Sequence, residues 1–146
     1  MDSTQAVVQQ PGGPSQQAML RILVVDDDPG VRNLLHDFLV RFGHSVTICS
    51  SGGDAIAAAS MRPFDLMFVD VVMPGMNGSQ VIRELHRVQS DAVLVMITGH
   101  MDSTLVDDGL QGGAFLCLAK PVELAQLTEF VRSIASAREK RREKRR

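Results

Sequence analysis

Tryptophan and tyrosine are missing altogether, so phenylalanine alone supplies the 4% aromatic content. That scarcity counts against aromatic platforms for stacking nucleic-acid bases. Only two cysteines occur, Cys49 and Cys117. Two cannot make a disulfide framework, and a reducing, cytoplasmic compartment is the expectation. No apolar run approaches the roughly 18 residues of a membrane span. The opening MDSTQAVVQQ has neither the basic start nor the apolar stretch of a secretory signal. There is no excess of positive charge: the net is −2, which excludes a globally basic nucleic-acid binder. What is present is 146 residues, 45% of them hydrophobic and 22% charged. That suits one domain with a sizeable core.

The charge is unevenly placed. Residues 138–146 hold seven Lys/Arg and two Glu, a net of +5, whereas residues 1–137 carry a net of −7. An acidic body thus bears a basic tail. The tail reads as a solvated extension of the last helix, with Glu139 and Arg142 spaced for an i,i+3 pair. The competing reading is an anchor to nucleic-acid phosphates or an anionic membrane surface. At the other end, residues 1–18 contain QQPGGPSQQ, too polar to offset ordering entropy, and read as a disordered arm. The domain proper is expected over residues 19–137.

Within that body, strand and helix signals alternate. RILVV (21–25), SVTIC (45–49), DLMFVD (65–70), VLVMI (93–97) and AFLCLA (114–119) read as strands. Between them fall helical patterns. Val31, Leu34, Leu35, Phe38 and Phe42 share one face of the first. Residues 54–61 form an Ala-rich second, and residues 79–88 a third with Val81, Ile82, Leu85 and Val88 inward. A weak fourth covers 103–111 with Gly109 inside it, at a cost of about 0.5–1 kcal/mol relative to Ala. The last starts near Val122, with Leu124, Leu127, Val131 and Ile134 on one face. Strands apolar on both faces and alternating with helices predict a doubly wound α/β fold with a five-stranded parallel sheet. Ligands of such sheets bind at the carboxyl ends of the strands.

Those ends carry Asp26, Asp27 and Asp28 after the first strand, Asp70 ending the third, Thr98 after the fourth and Lys120 after the fifth. Crowded carboxylates raise one another's pKa unless a cation neutralises them. Hard oxygen donors with room for water suit Mg²⁺. A hydroxyl and an ammonium beside such a metal can hold phosphoryl oxygens, and an Asp carboxylate can itself accept a phosphoryl group. Any one of these residues has a commonplace role, as an N-cap, a turn residue or a solvated charge. Four strand ends on one sheet edge carrying the required types make the shared pocket the stronger reading.

Across about residues 20–137 the sequence resembles the response-regulator receiver domain, the CheY-like family with its flavodoxin-like fold. The resemblance lies in ILVVDDDPGVR (22–32), DLMFVDVVMPGMNG (65–78), VMITGH (95–100) and GAFLCLAKP (113–121). It implies strand order 2-1-3-4-5 and a single-domain response regulator. Asp70 would be the phosphoacceptor, charged by a histidine kinase or histidine phosphotransfer protein. Asp27 would bind Mg²⁺ directly, Asp26 mainly through water, and the Val72 carbonyl would be a further ligand. Thr98 would hold a phosphoryl oxygen, and Lys120 would pair with the acceptor carboxylate, across a Lys120-Pro121 peptide that is cis in many relatives. Asp28 matches a position less directly involved. The protein would modify itself rather than turn over a substrate, and would bind a partner through its fourth helix, fifth strand and fifth helix. No specific nucleic acid and no membrane span are expected.

The sequence departs from the family in two places. Cys117 stands where relatives carry Tyr or Phe, so the usual aromatic relay from Thr98 is in doubt and output is expected to rest more on the fourth helix. Val122 stands where Phe is common. Val72 and His100 occupy positions that tune phosphoryl lifetime in relatives. His36, His44 and His86 lack metal-ligand spacing, and His36 and His86 read as exposed helix residues. The implied strand order puts Cys49 and Cys117 on opposite edges, too far apart to bridge. An alternative enzyme reading, a haloacid-dehalogenase-like phosphatase using Asp26 and Asp28, lacks the further acidic pair that such enzymes need after the Lys.

Overall fold

A computed structural model describes residues 18–75, 77–101 and 104–145. The arm expected over residues 1–18 lies outside them except for Ala18, which is buried. Five strands, β1 (Arg21–Val25), β2 (Ser45–Cys49), β3 (Leu66–Asp70), β4 (Val93–Thr98) and β5 (Leu116–Ala119), alternate with five helices. The helices are α1 (Pro29–Arg41), α2 (Gly52–Met61), α3 (Gly78–Val88), α4 (Thr104–Gly112) and α5 (Leu124–Arg145). The strands are all parallel, in the order β2-β1-β3-β4-β5. This is the doubly wound sheet the alternation implied.

Successive strand residues point to opposite faces, and that period divides the core in two. Leu23, Val25, Met67, Val69, Leu94 and Met96 face one side, where Ala55 and Ala59 of α2, Ile82 and Leu85 of α3 and Val106 of α4 cover them. Ile22, Val24, Leu66, Phe68, Val95 and Ile97 face the other, under Leu35 and Leu39 of α1 and Leu127, Val131 and Ala135 of α5. Burying each such Leu or Ile stabilises the fold by about 1.5–3 kcal/mol.

Helix starts follow local chemistry. Asp28 accepts from the Gly30 amide to cap α1, Ser51 from Asp54 to cap α2, and Asn77 from Gln80 to cap α3. The Ser51 cap starts α2 at Gly52, ahead of the expected residue 54. Two apolar faces are rotated from expectation. Leu34 and Phe42 are exposed, and the buried stripe of α1 runs through Leu35 and Leu39, with Val31 and Phe38 partly covered. Leu124 is likewise exposed, and Ala135 takes the inward place on α5. β5 is shorter than the apolar run: it begins at Leu116, and Phe115 before it is 64% exposed and stacks on Phe130, ring centroids 6.3 Å apart. Gly109, the weak point of α4 by propensity, has a packing reason: a Cβ there would lie 2.1 Å from Met96 Sδ. Its absence lets α4 settle onto β4.

Candidate functional site

Parallel pairing puts every strand's carboxyl end on one edge. The register sets Val25 beside Val69, Asp70 beside Ile97 and Thr98 beside Ala119. Asp26 follows β1, fully buried, its amide donating to the Cys49 carbonyl at 3.1 Å. Its Oδ1 accepts from the Asp28 amide at 2.9 Å, and its carbonyl accepts from Arg32 Nη1 at 3.0 Å. Asp70 is 3% exposed, and its Oδ1 accepts from the Val72 amide at 2.9 Å. Lys120, whose amide donates to the Thr98 carbonyl at 2.8 Å, reaches back with its ammonium. Its Nζ donates to Asp70 Oδ2 at 2.9 Å and lies 2.9 Å from Asp26 Oδ2. The second contact is an ion pair without an aligned hydrogen bond, so Asp26 Oδ2 stays poorly satisfied.

The charges explain the titration behaviour. Burial, reinforced by the Asp70 charge, holds the Asp26 carboxyl above its ordinary pKa, against the opposing Asp28 amide and Lys120 ammonium. Burial alone would lower Lys120. Its close contacts with the Asp26 and Asp70 carboxylates outweigh that and raise it.

One carboxylate oxygen from each of Asp26, Asp27 and Asp70 lies within 4.8 Å of the others. Three carboxylates face one ammonium, all donors are hard oxygens, and Asp27 is exposed to solvent. A divalent cation that keeps several waters fits this donor set, and the unsatisfied Asp26 oxygen marks where added positive charge would help.

The other expected residues are distributed as follows. Thr98 is fully buried, and its Oγ1 accepts from the His100 amide at 2.9 Å. Val72 is exposed in the loop after Asp70. Asp28 is outside the carboxylate cluster, its side chain committed to the α1 cap, which removes the Asp26/Asp28 pair the phosphatase reading needed. The Lys120-Pro121 peptide is cis. The loop between Asp70 and α3 is pinned by Gly78, where a Cβ would sit 2.3 Å from the Val71 carbonyl oxygen.

Cys117 is half-buried and packs with the α2, α3 and α4 side of the core, while Cys49 is buried on the opposite edge strand. Both thiols are free, and burial raises the pKa of each. His36 is partly exposed and lies 2.9 Å from Asp37. His86 is not the exposed residue its helical position suggested. It is half-buried, its Nδ1 has no hydrogen-bond partner among the described residues, and a Cβ at Gly113 would meet its ring at 2.5 Å. The loop after α4 covers it, which no local pattern could show. Sequence reading also missed the Lys120–Asp26 contact. The signal was available in the strand order, which places β1 beside β3.

A parallel five-stranded sheet with an acidic, lysine-bridged pocket at its carboxyl edge defines a receiver-type α/β domain. Residues 22–132 match the family model of the response regulator receiver domain, and the chain belongs to that family. Protein PilH of Pseudomonas aeruginosa is 36% identical over 118 residues, 80% of this chain and 98% of PilH. The DNA-binding response regulator MtrA of Mycolicibacterium smegmatis is 39% identical over 114 residues, 77% of this chain and 49% of MtrA. The match spans between 29% and 49% of the length of three of the curated relatives. Among solved structures, a CheY-like receiver domain protein from Methanospirillum hungatei superposes with a TM-score of 0.79 at 27% identity, covering 85% of this chain and 99% of that one. No described helix is long and apolar enough to cross a membrane.

Proposed function

We propose that this receiver takes a phosphoryl group onto Asp70 from a phosphohistidine donor, a histidine kinase or phosphotransfer protein, and passes the change to a protein partner. The observation that carries this is the placement of the Asp70 carboxylate at the carboxyl end of β3, hydrogen-bonded to Lys120 and grouped with Asp26 and Asp27. An Asp70 carboxylate oxygen attacks phosphorus. The P–N bond of the donor breaks, and the departing ring nitrogen keeps its electron pair and takes up a proton. Asp26, Asp27, Asp70 and the Val72 carbonyl would hold Mg²⁺, which supplies charge neutralisation on the transferring oxygens. Lys120 orients the acceptor carboxylate before transfer and pairs with the phosphoryl group afterwards. Thr98 supplies a hydroxyl to a phosphoryl oxygen, and the switch is biased by whatever contacts those two groups make in one state and not the other.

Receivers of this kind modify themselves rather than turn over a substrate. Output through α4, β5 and α5 is supported by the exposed Phe115 stacked on Phe130, with Leu110 and Leu124 exposed nearby in the chain. The test is incubation with a small acyl-phosphate donor and Mg²⁺, followed by mass analysis. A single phosphoryl adduct on the wild type, absent from Asp70→Asn, is the expected result. Equal labelling of the Asp70→Asn protein overturns the assignment.

A further inference from the structure

The opposite edge of the sheet, where the strands begin, holds an open cleft of about 650 Å³. Arg21 at the start of β1, Asp65 just before β3 and Ala92 just before β4 form its floor. Arg62 lines one side, and Arg138, Arg141 and Arg142 of α5 line the other. Five arginines and two aspartates, Asp65 and Asp91, therefore line the cleft.

Two of the five have structural work. Arg21 donates to Asp65 through Nε and Nη2, each at 3.2 Å. Burial alone would raise the Asp65 carboxyl, but the bonds from Arg21 and the Arg138 charge hold it below the ordinary range. Arg138 Nη2 donates to the carbonyls of Asp65 and Asp91, which docks the basic end of α5 on the sheet edge. Arg62, Arg141 and Arg142 are exposed and have no carboxylate partner among the described residues. The rim beneath Arg62 is fixed by Gln89. Its Oε1 accepts from the Phe64 amide at 2.7 Å, and its Nε2 donates to the carbonyls of Ala59 and Arg62 at 2.7 and 2.6 Å.

Helical period sorts the tail. Arg138, Arg141 and Arg142 fall within roughly 100° of arc, and Lys140 and Lys144 fall outside it. The planar forks of arginine, which suit phosphate bidentately, line the cleft, and the lysines point elsewhere on the helix.

We propose that this cleft is a binding site for a small soluble anion carrying two or more phosphoryl groups. Its size lies within the roughly 300–1,000 Å³ of small-ligand sites. The unpaired guanidiniums supply the charge, and the hydrogen-bonded rim supplies preorganisation. The net of −7 over residues 1–137 disfavours a long polyanion, which would have to pass the acidic body.

The test is calorimetric titration of the full chain with inorganic tripolyphosphate in Mg²⁺-free buffer at low salt. Two variants accompany the wild type. Arg141→Ala/Arg142→Ala removes two charges from the cleft, and Lys140→Ala/Lys144→Ala removes two from the same helix at positions that do not line it. Both alter solvent-exposed side chains and leave Arg21, Arg138 and Gln89 in place. Saturable one-to-one binding to the wild type is expected, weakened about tenfold or more by the arginine pair and less than about twofold by the lysine pair, about 1.4 and 0.4 kcal/mol. Equal weakening by both pairs reduces the effect to net charge and overturns the proposal, as does no binding at millimolar tripolyphosphate. Phosphatidylglycerol vesicles and duplex DNA are run alongside. Retention by either of them, without saturable tripolyphosphate binding, also overturns it.

Discussion

The Lys120 ammonium bridges two carboxylates at the ends of different strands, one just after β1 and one closing β3, lying 2.9 Å from Asp26 Oδ2 and 2.9 Å from Asp70 Oδ2. One cation therefore serves two buried acids, and neither acid is fully neutralised by it.

Replacing that cation should cost stability. Removing one member of a fully buried pair costs about 3–5 kcal/mol. Lys120 keeps 24% of its side-chain surface exposed, so Lys120→Met is expected to lose about 1–3 kcal/mol in metal-free urea unfolding. An unchanged midpoint would show that the bridge contributes nothing in solution.

Metal should restore what the carboxylate cluster lacks. Mg²⁺ at about a hundred times its dissociation constant is expected to stabilise the fold by about 2.7 kcal/mol. The rise in Tm should vanish on chelation. Asp27→Asn removes the exposed ligand of the cluster without disturbing a buried contact, and should weaken the apparent affinity about tenfold. A wild type whose Tm ignores millimolar Mg²⁺ would contradict the cluster's proposed role.

A separate group governs acid sensitivity. His44 is buried, its Nδ1 accepts from the Leu20 amide at 3.1 Å, and burial pushes its pKa below the ordinary value. The folded protein thus holds the neutral ring. This contribution is fully present above the unfolded pKa of about 6.5 and is lost as pH falls toward and through the lowered folded value, at up to about 1.4 kcal/mol per pH unit. His44→Asn keeps an acceptor for Leu20 but cannot titrate there. The difference in unfolding free energy between wild type and variant, measured from pH 8 to pH 5, should shrink or reverse as pH falls. A difference independent of pH would remove His44 from the acid response.

Gly78 gives a steric prediction. The Cβ of Gly78→Ala would lie 2.3 Å from a backbone oxygen, that of Val71, where no rotamer can yield. The loop following Asp70 must shift, at about 1–3 kcal/mol. Chemical denaturation and the rate of Asp70 labelling should both be impaired. Wild-type values for both would mean that the loop relaxes freely.

Much of the architecture was legible because each apolar run ends in a residue with its own chemistry. The run 66–70 closes on Asp70, and 93–98 on Thr98, so strand ends and site residues announced one another. The shared pocket followed from the common sheet edge, and the Asp70–Lys120 pairing within it from the family resemblance. Other features depend on neighbours distant in sequence. Leu34 satisfies the helical spacing, yet the rotation of α1 on the sheet favours Leu39 instead. His86 reads as a surface residue until Gly113 is folded onto it. The REKRREKRR run shows charge and helical period, but its lining of a cleft depends on Arg21 and Arg62, contributed from far upstream.

The alternation of strand side chains also makes the sheet a partition between two oily compartments. Leu85 and Val106 belong to one, Leu39 and Val131 to the other. A cavity opened under α3 can be relieved only by its own side, because the backbone layer between the compartments is tied into its ladder. Truncations placed one on each side should therefore sum to within about 0.3–0.5 kcal/mol, whereas two within the same compartment should interact. For anyone redesigning the molecule, the helices above and below the sheet are two separate repacking problems.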